Sequence, residues 1–349
     1  MGSFWVKNML KIFDLNLSEF KNYIADNKIY LFGAGIQGKR WMYVLEDWNL
    51  NQAIAGIIDN DSRKWDTFLN GDKGSYKVYS LSKIEDQEDA TIFVTSIHFK
   101  EICAQLEAES KNNNWKVIIA DKIAEKQMQV SDYETVVKES ENELIPRIIH
   151  YAWFGGEMPD QYKRNIDEWK KICPDFEFKF WNEKNYDVTK NRYMSEAYDA
   201  KKWAFASDYF KLDVIYNQGG IYLDTDIKMV KNPSQLLYQK AFGCVDCTMT
   251  LNIGSGFGAA PKSKLVKKLL DDYENARFIR EDGFLDNTSC NTRQYMVIRK
   301  MGFLLGDDQQ KVMDMNIYPM IFQGACSHTK TIRKTDKTFW IHYENMSWL

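Results

Sequence analysis

The sequence predicts an α/β protein of two domains, the first built on a doubly wound parallel sheet. Three observations lead there. Short apolar runs alternate with helix-period segments from about residue 28 to residue 121, the pattern of βαβ units. A complete G-x-G-x-x-G closes the first of those runs. Near Pro146 the grammar changes, and a charge-rich stretch gives way to an apolar run ending in two glycines. A chain of 349 residues has room for two domains.

Taken in order, "MGSFWVKNMLKIFDLNL" reads as an added leader and a first helix, without the long apolar core of a signal peptide. Phe4, Trp5, Met9 and Leu10 with Lys7 and Lys11 fit either packing on the first domain or a membrane interface. Ile29 to Phe32 is a strand, and Gly33, Gly35 and Gly38 form the turn into a helix carrying Trp41, Val44, Leu45 and Trp48. "AIAGIIDND" is the next strand, ending in Asp59, where a dinucleotide fold places a ribose-binding carboxylate about twenty residues past the last glycine. "TIFVTS" and "WKVIIAD" are further buried strands, with a helix between them. The turn and Asp59 fit a bound nucleotide as well as a fold that keeps the turn and binds nothing. Residues 122–144 are charge-rich and read as a linking helix.

Composition narrows the functions. The chain is 44% hydrophobic and 27% charged, which is globular. Its net charge of −3 offers no footprint for nucleic acid. No apolar stretch has the length of a membrane-spanning helix. The six cysteines are scattered, with one C-x-x-C at Cys244 and Cys247 and no second pair at zinc spacing. Such thiols fit the cytoplasm.

The second half carries "GGIYLDTDIKMV" (219–230). In an extended strand Asp224 and Asp226 share a face, and a hard divalent cation would relieve their repulsion. Taken alone, a D-x-D is also an ordinary polar turn. Upstream, "WAFASDYFKLDVIYNQ" is apolar on almost every face, so it reads as a buried helix stopped by a glycine. Asp208 and Lys211 sit inside it at i and i+3, either as a mutual ion pair or as a carboxylate and a cation turned to a ligand. "NIGSGFGAAPKSKLVKKLL" reads as a glycine-rich strand or turn, then a helix from near Pro261, with Asn252 at its head.

Taken together, "IPRIIHYAWFGG", "WAFASDYFKLDVIYNQGGIYLDTDI" and the terminal "WIHYENMSWL" resemble glycosyltransferase family 32 and the catalytic domains of the large glucosylating bacterial toxins. The resemblance implies a GT-A fold over residues 145–349, preceded by a Rossmann-like accessory domain at 1–125 and a charged linker or helix at 126–144. It implies retaining transfer from a UDP-sugar, with Mn²⁺ or Mg²⁺, to a glycan, glycolipid or glycoprotein acceptor in surface polysaccharide or glycoprotein synthesis. The setting it implies is the cytoplasm, with peripheral contact at the inner face of the membrane. By the same resemblance Trp153 stacks on the donor base and Asp208 binds sugar hydroxyls. Tyr222 lines the donor site, Asp224 is the first D-x-D carboxylate, and Asp226 is the direct metal ligand. His342, Glu344, Ser347 and Trp348 close over metal and diphosphate. Lys211 departs from the more usual arginine, keeping the charge but losing the bidentate fork. The first domain resembles Rossmann-like modules fused to bacterial sugar-modifying enzymes. Two competing readings are an NAD(P)-dependent oxidoreductase centred on Gly33, Gly35, Gly38 and Asp59, and a non-catalytic sugar-nucleotide binder.

Overall fold

The computed structural model describes residues 10–110, 113–254, 256–326 and 329–342. The chain divides into two compact units, Met1–Gln129 and Val130–Leu349.

The first unit is a seven-stranded sheet in the order β1-β7-β6-β2-β3-β5-β4. Its strands are β1 (Lys11–Phe13), β2 (Ile29–Phe32), β3 (Ile54–Ile58), β4 (Phe68–Asn70), β5 (Ser75–Tyr79), β6 (Thr91–Val94) and β7 (Lys116–Ile119). All neighbours pair parallel except β4 with β5. The order reverses at β2, with β3 on one side and β6 on the other, as in doubly wound nucleotide-binding sheets. Helices α1 (Leu17–Asp26), α2 (Ile36–Asp47), α3 (Phe99–Glu109) and α4 (Ala120–Val130) belong to this run of the chain. A reciprocal box of Asn16 and Glu19 starts α1. The β2–α2 turn needs its glycines: Gly33 has φ 120°, and a Cβ on Gly38 would lie 1.7 Å from the Gly33 carbonyl oxygen.

Two expectations change here. Residues 11–13, read as part of a first helix, are strand β1, because parallel pairing to β7 claims them. The charged stretch 122–144 is helical only to Val130. Beyond it the chain runs irregularly and is woven into the second unit. Tyr133 is buried with its ring 5.3 Å from that of Tyr318, and its hydroxyl donates to the Lys337 carbonyl at 2.6 Å. Val137 N–H donates to the Tyr318 hydroxyl, and Glu139 pairs with Lys311 at 2.7 Å. Burial of Tyr133 and Ile145 outweighs the local helical preference of the charged residues.

The second unit holds a mixed seven-stranded sheet, β14-β15-β12-β13-β10-β8-β9. Along the chain come β8 (Ile148–Ala152), α5 (Asp160–Ile172), β9 (Glu177–Trp181), α6 (Arg192–Asp199), α7 (Trp203–Gln218), β10 (Gly220–Tyr222), β11 (Ile227–Met229) and β12 (Ala241–Cys244). Then follow β13 (Phe257–Ala259), α8 (Lys264–Asp271), α9 (Cys290–Ile298), β14 (Gln310–Val312), β15 (Met315–Tyr318), β16 (Ala325–Cys326), β17 (Thr331–Ile332) and β18 (Trp340–His342). Strand β8 lies parallel between β9 and β10, while β13 runs antiparallel between β10 and β12. Helix α7 is buried along most of its length and stops at Gly219, whose φ is 68°. The core between the sheet, α5 and the chain end includes Trp169, Phe242, Phe322 and Trp340. Among the described residues no helix is long and apolar enough to cross a membrane.

Candidate active site

The site begins with the glycines before the D-x-D. His150, on β8, is buried and neutral. Its Nδ1 accepts from Trp181 Nε1 at 3.1 Å, so Nε2 carries the proton and donates to the Gly219 carbonyl at 2.9 Å. Burial pushes its pKa down to about 4, against the Gly219 bond that raises it. A Cβ on Gly220 would meet the His150 ring at 2.9 Å. Only glycine therefore lets β10 run beside β8, with Ile221 opposite Ile149 and Tyr222 opposite His150. The carboxyl ends of these two parallel strands deliver Trp153–Gly156 and Asp224–Asp226 to one edge of the sheet.

Residues 224–226 are a turn, the other of the two readings of the D-x-D, and not an extended strand. Ile227 N–H bonds back to the Asp224 carbonyl at 3.1 Å. Asn165 Nδ2 donates to the Thr225 carbonyl at 2.9 Å, and Trp169 Nε1 to the Ile227 carbonyl at 3.0 Å, so α5 clamps the turn. The turn gives the two carboxylates different neighbours. Asp224 Oδ1 lies 3.6 Å from Lys211 Nζ, and its carboxylate bonds the Tyr222 hydroxyl. Asp226 Oδ1 lies 3.3 Å from His342 Nε2. That contact comes from β11 pairing antiparallel with β18, which sets Ile227 opposite His342. One ligand atom from each of Asp224, Asp226 and His342 falls within 4.8 Å of the others. Two carboxylates and an imidazole at that spacing suit a divalent cation with oxygen and nitrogen ligands.

Asp208 and Lys211 form the ion pair that their spacing on α7 allows, at 3.2 Å. Lys211 faces two carboxylates and stands over the Tyr222 ring at 5.4 Å. Burial works to lower its pKa, but Asp224 and then Asp208 outweigh burial and hold the ammonium well above the ordinary lysine range. Burial raises the Asp208 carboxyl, with Lys211 opposing it. Burial, then Asp224, raises the Tyr222 phenol, so it stays a neutral donor.

Trp153 is half-buried and packs on Tyr162 with ring centroids 5.0 Å apart. Gly155 leaves room for Trp203, whose indole carbon a Cβ there would meet at 2.2 Å. Glu344, Ser347 and Trp348 lie outside the described residues, as do Phe4, Trp5 and Met9. Gly33, Gly35, Gly38 and Asp59 are all in the first unit. There Asp59 Oδ2 accepts the Ala34 N–H at 2.7 Å and meets Lys64 Nζ at 3.0 Å, while Oδ1 accepts the Asp61 N–H at 2.8 Å.

Several residues joined to the site carry no sequence signal. A Cβ added to Gly254 would meet Asp224 Oδ2 at 2.9 Å, Asn252 Oδ1 at 3.0 Å and Lys211 Nζ at 3.8 Å. The segment 252–254 therefore walls the acid pair, and the sequence offered only a weak pointer to Asn252. The Cys290 thiol, at the start of α9, is raised by burial and then by Asp208, in a field that includes Lys211, Asp224 and Asp246. His150 could have been suspected only from its place two residues before the end of β8; its bond to Gly219 is tertiary.

Residues 159–243 match the model of a family described as glycosyltransferase sugar-binding region containing DXD motif. Inositol phosphoceramide mannosyltransferase 1 of Schizosaccharomyces pombe is 28% identical over 134 residues, 35% of this chain and 40% of that protein. Inositol phosphoceramide mannosyltransferase 3 of the same yeast is 25% identical over 120 residues, 33% of this chain and 34% of that protein. An uncharacterised glycosyltransferase of Acanthamoeba polyphaga mimivirus is 32% identical over 101 residues, 27% of this chain and 40% of that protein. The chain thus matches less than half the length of each of these relatives. Residues 159–243, which carry the D-x-D turn on the mixed sheet, are thus similar to a glycosyltransferase sugar-binding region containing a DXD motif.

Proposed function

We propose that the protein is a metal-dependent, retaining glycosyltransferase that moves a sugar from a UDP-sugar to a glycan, glycolipid or glycoprotein acceptor. The observation that carries this is the convergence of Asp224, Asp226 and His342 beside a buried, protonated Lys211. Mn²⁺ or Mg²⁺ held by Asp226 and His342 would supply Lewis acidity to the departing diphosphate. Lys211 adds fixed positive charge where the leaving group gains negative charge, without needing to reorganise. Asp208 is aligned by Lys211 to accept hydroxyls of the donor sugar, and Tyr222 holds Asp224 in place. Trp153 offers its half-exposed face to the nucleobase. Glu344, Ser347 and Trp348 remain the proposed closing segment.

The inositol phosphoceramide mannosyltransferase names of the yeast relatives support a hexose donor and a lipid-borne acceptor. They also put a nucleotide-linked mannose on the list of donors to test. The proposed setting is the cytoplasm at the inner face of a membrane, which the unbridged Cys103, Cys173, Cys244 and Cys290 support. The first unit is proposed as an accessory domain. The Asp59 carboxylate already binds the glycine turn and Lys64, and a ribose would compete with both.

The test is nucleotide release from a panel of UDP- and GDP-hexoses, with and without Mn²⁺, by the full chain. Metal-dependent release from one or a few donors supports the proposal. Binding of donors without release would favour a sugar-nucleotide binder, and a nicotinamide-dependent oxidation would favour the first unit as the active one.

A further inference from the structure

We propose that Asp246 is a positioning residue of the donor site, acting through Asn252. This inference rests on the transferase reading. Asp246 follows β12 and is 1% exposed. Its Oδ1 accepts the Thr248 N–H at 2.8 Å and the Thr248 hydroxyl at 2.5 Å. Its Oδ2 accepts Asn252 Nδ2 at 2.9 Å and Asn291 Nδ2 at 2.5 Å. A buried carboxylate is costly, and these charge-assisted bonds from neutral donors help to hold it there.

One of those bonds, from Asn252, bears on the orientation of an amide at the site. Asn252 is 3% exposed, and with Nδ2 committed to Asp246 its Oδ1 must face the other way. That oxygen accepts the Gly254 N–H at 2.7 Å. It also stands within 3.0 Å of the point where a Gly254 Cβ would lie, a point shared with Asp224 Oδ2 and Lys211 Nζ. The amide oxygen, the first D-x-D carboxylate and the ammonium therefore ring one small space. The bond from Asn291 ties the same carboxylate to α9, whose first residue, Cys290, lies in the field of Asp208 and Asp224. Asp246 thus joins the 252–254 wall to α9 and sets which end of the Asn252 amide faces the donor. An asparagine at 246 would present an NH₂ group to donors that need an acceptor, and would weaken the hold on the Asn252 amide, which the Gly254 N–H also orients.

The test uses the full chain as Asp246→Asn, Asn252→Ala and the double variant. On the donor that the wild type turns over, Asp246→Asn lowers kcat at least tenfold, while KM for donor and calorimetric affinity for UDP with Mn²⁺ change less than threefold. The double variant loses no more kcat than Asn252→Ala alone, because both changes remove one device. Unchanged kcat in Asp246→Asn, or additive losses in the double variant, overturns the proposal. So does a loss of UDP affinity in step with kcat, which a merely structural role would give. If Asp246→Asn does not fold, Asn291→Ala takes its place and lowers kcat at least threefold at constant KM; no loss there overturns the proposal.

A readout without turnover separates this inference from the transferase reading. In asparagine-labelled protein, the Asn252 side-chain amide protons, assigned by their loss in Asn252→Ala, shift upfield in Asp246→Asn or Asn291→Ala. A wild type without nucleotide release sinks the transferase reading, whereas unmoved amide protons sink the role of Asp246.

Discussion

Asp224 and Asp226 stand two residues apart and have different neighbours because a turn, and not a strand, carries them. Asp224 answers Lys211 and Tyr222, and Asp226 answers His342. Asp226→Asn removes the anionic oxygen opposite His342. It is expected to abolish turnover at limiting Mn²⁺ in a protein with an unchanged circular dichroism spectrum; near-wild-type turnover would show that Asp226 holds no metal. Trp153→Ala is expected to weaken UDP binding by about 1–3 kcal/mol, the range for base–aromatic stacking. Calorimetry with UDP and Mn²⁺ measures it, and an unchanged affinity would leave Trp153 as a packing residue against Tyr162. His150 gives a pH effect. Its folded pKa is about 4 against an ordinary 6.5, so between those values the unfolded chain takes up a proton that the folded chain refuses. Stability falls as pH drops through that window, by on the order of 3 kcal/mol for the whole shift, and does not fall further from this group below it. Urea unfolding at pH 7 and pH 4.5 should show a smaller difference in His150→Asn than in wild type, and equal differences would count against a buried neutral imidazole.

At the scale of elements, glycines decide which strands and helices can approach. Gly38 allows α2 to close on the Gly33 carbonyl, and Gly220 allows β10 to pass the His150 ring. Gly38→Ala places a methyl group 1.7 Å from backbone oxygen, where no flexible side chain can give way. It is expected to destabilise the first unit by more than about 3 kcal/mol, beyond the usual range for point changes. A drop in midpoint of less than a few degrees by thermal melting would mean that the turn relaxes freely. Helix α7 was legible because apolar residues occupy nearly all its faces, and its glycine stop follows from the positive φ at Gly219. The stretch after Val130 was not legible, since Tyr133 and Ile145 are buried by partners that lie far along the chain.

At the scale of the whole molecule, the residues of the proposed transferase site and the glycine fingerprint fall in different compact units. Gly35 has no heavy atom within 4 Å of an added Cβ, so Gly35→Glu fits the fold while placing a carboxylate at the turn. Nucleotide release from the donor is expected to persist in that variant. Its loss in a folded protein would mean that the first unit takes part in donor binding. The sequence alone could set the βαβ order of the first unit, the buried α7 and the D-x-D, and it could show the likeness of its second half to a transferase family. It could do so because period, glycine spacing and apolar runs are local properties of the chain. Tertiary contacts were needed to make 224–226 a turn, to bring His342 to Asp226 across a strand pair, and to set Asp246 and Asn291 behind Asn252. Each of those contacts joins residues that no periodicity relates, and each exists because a distant strand or helix brings the second partner there.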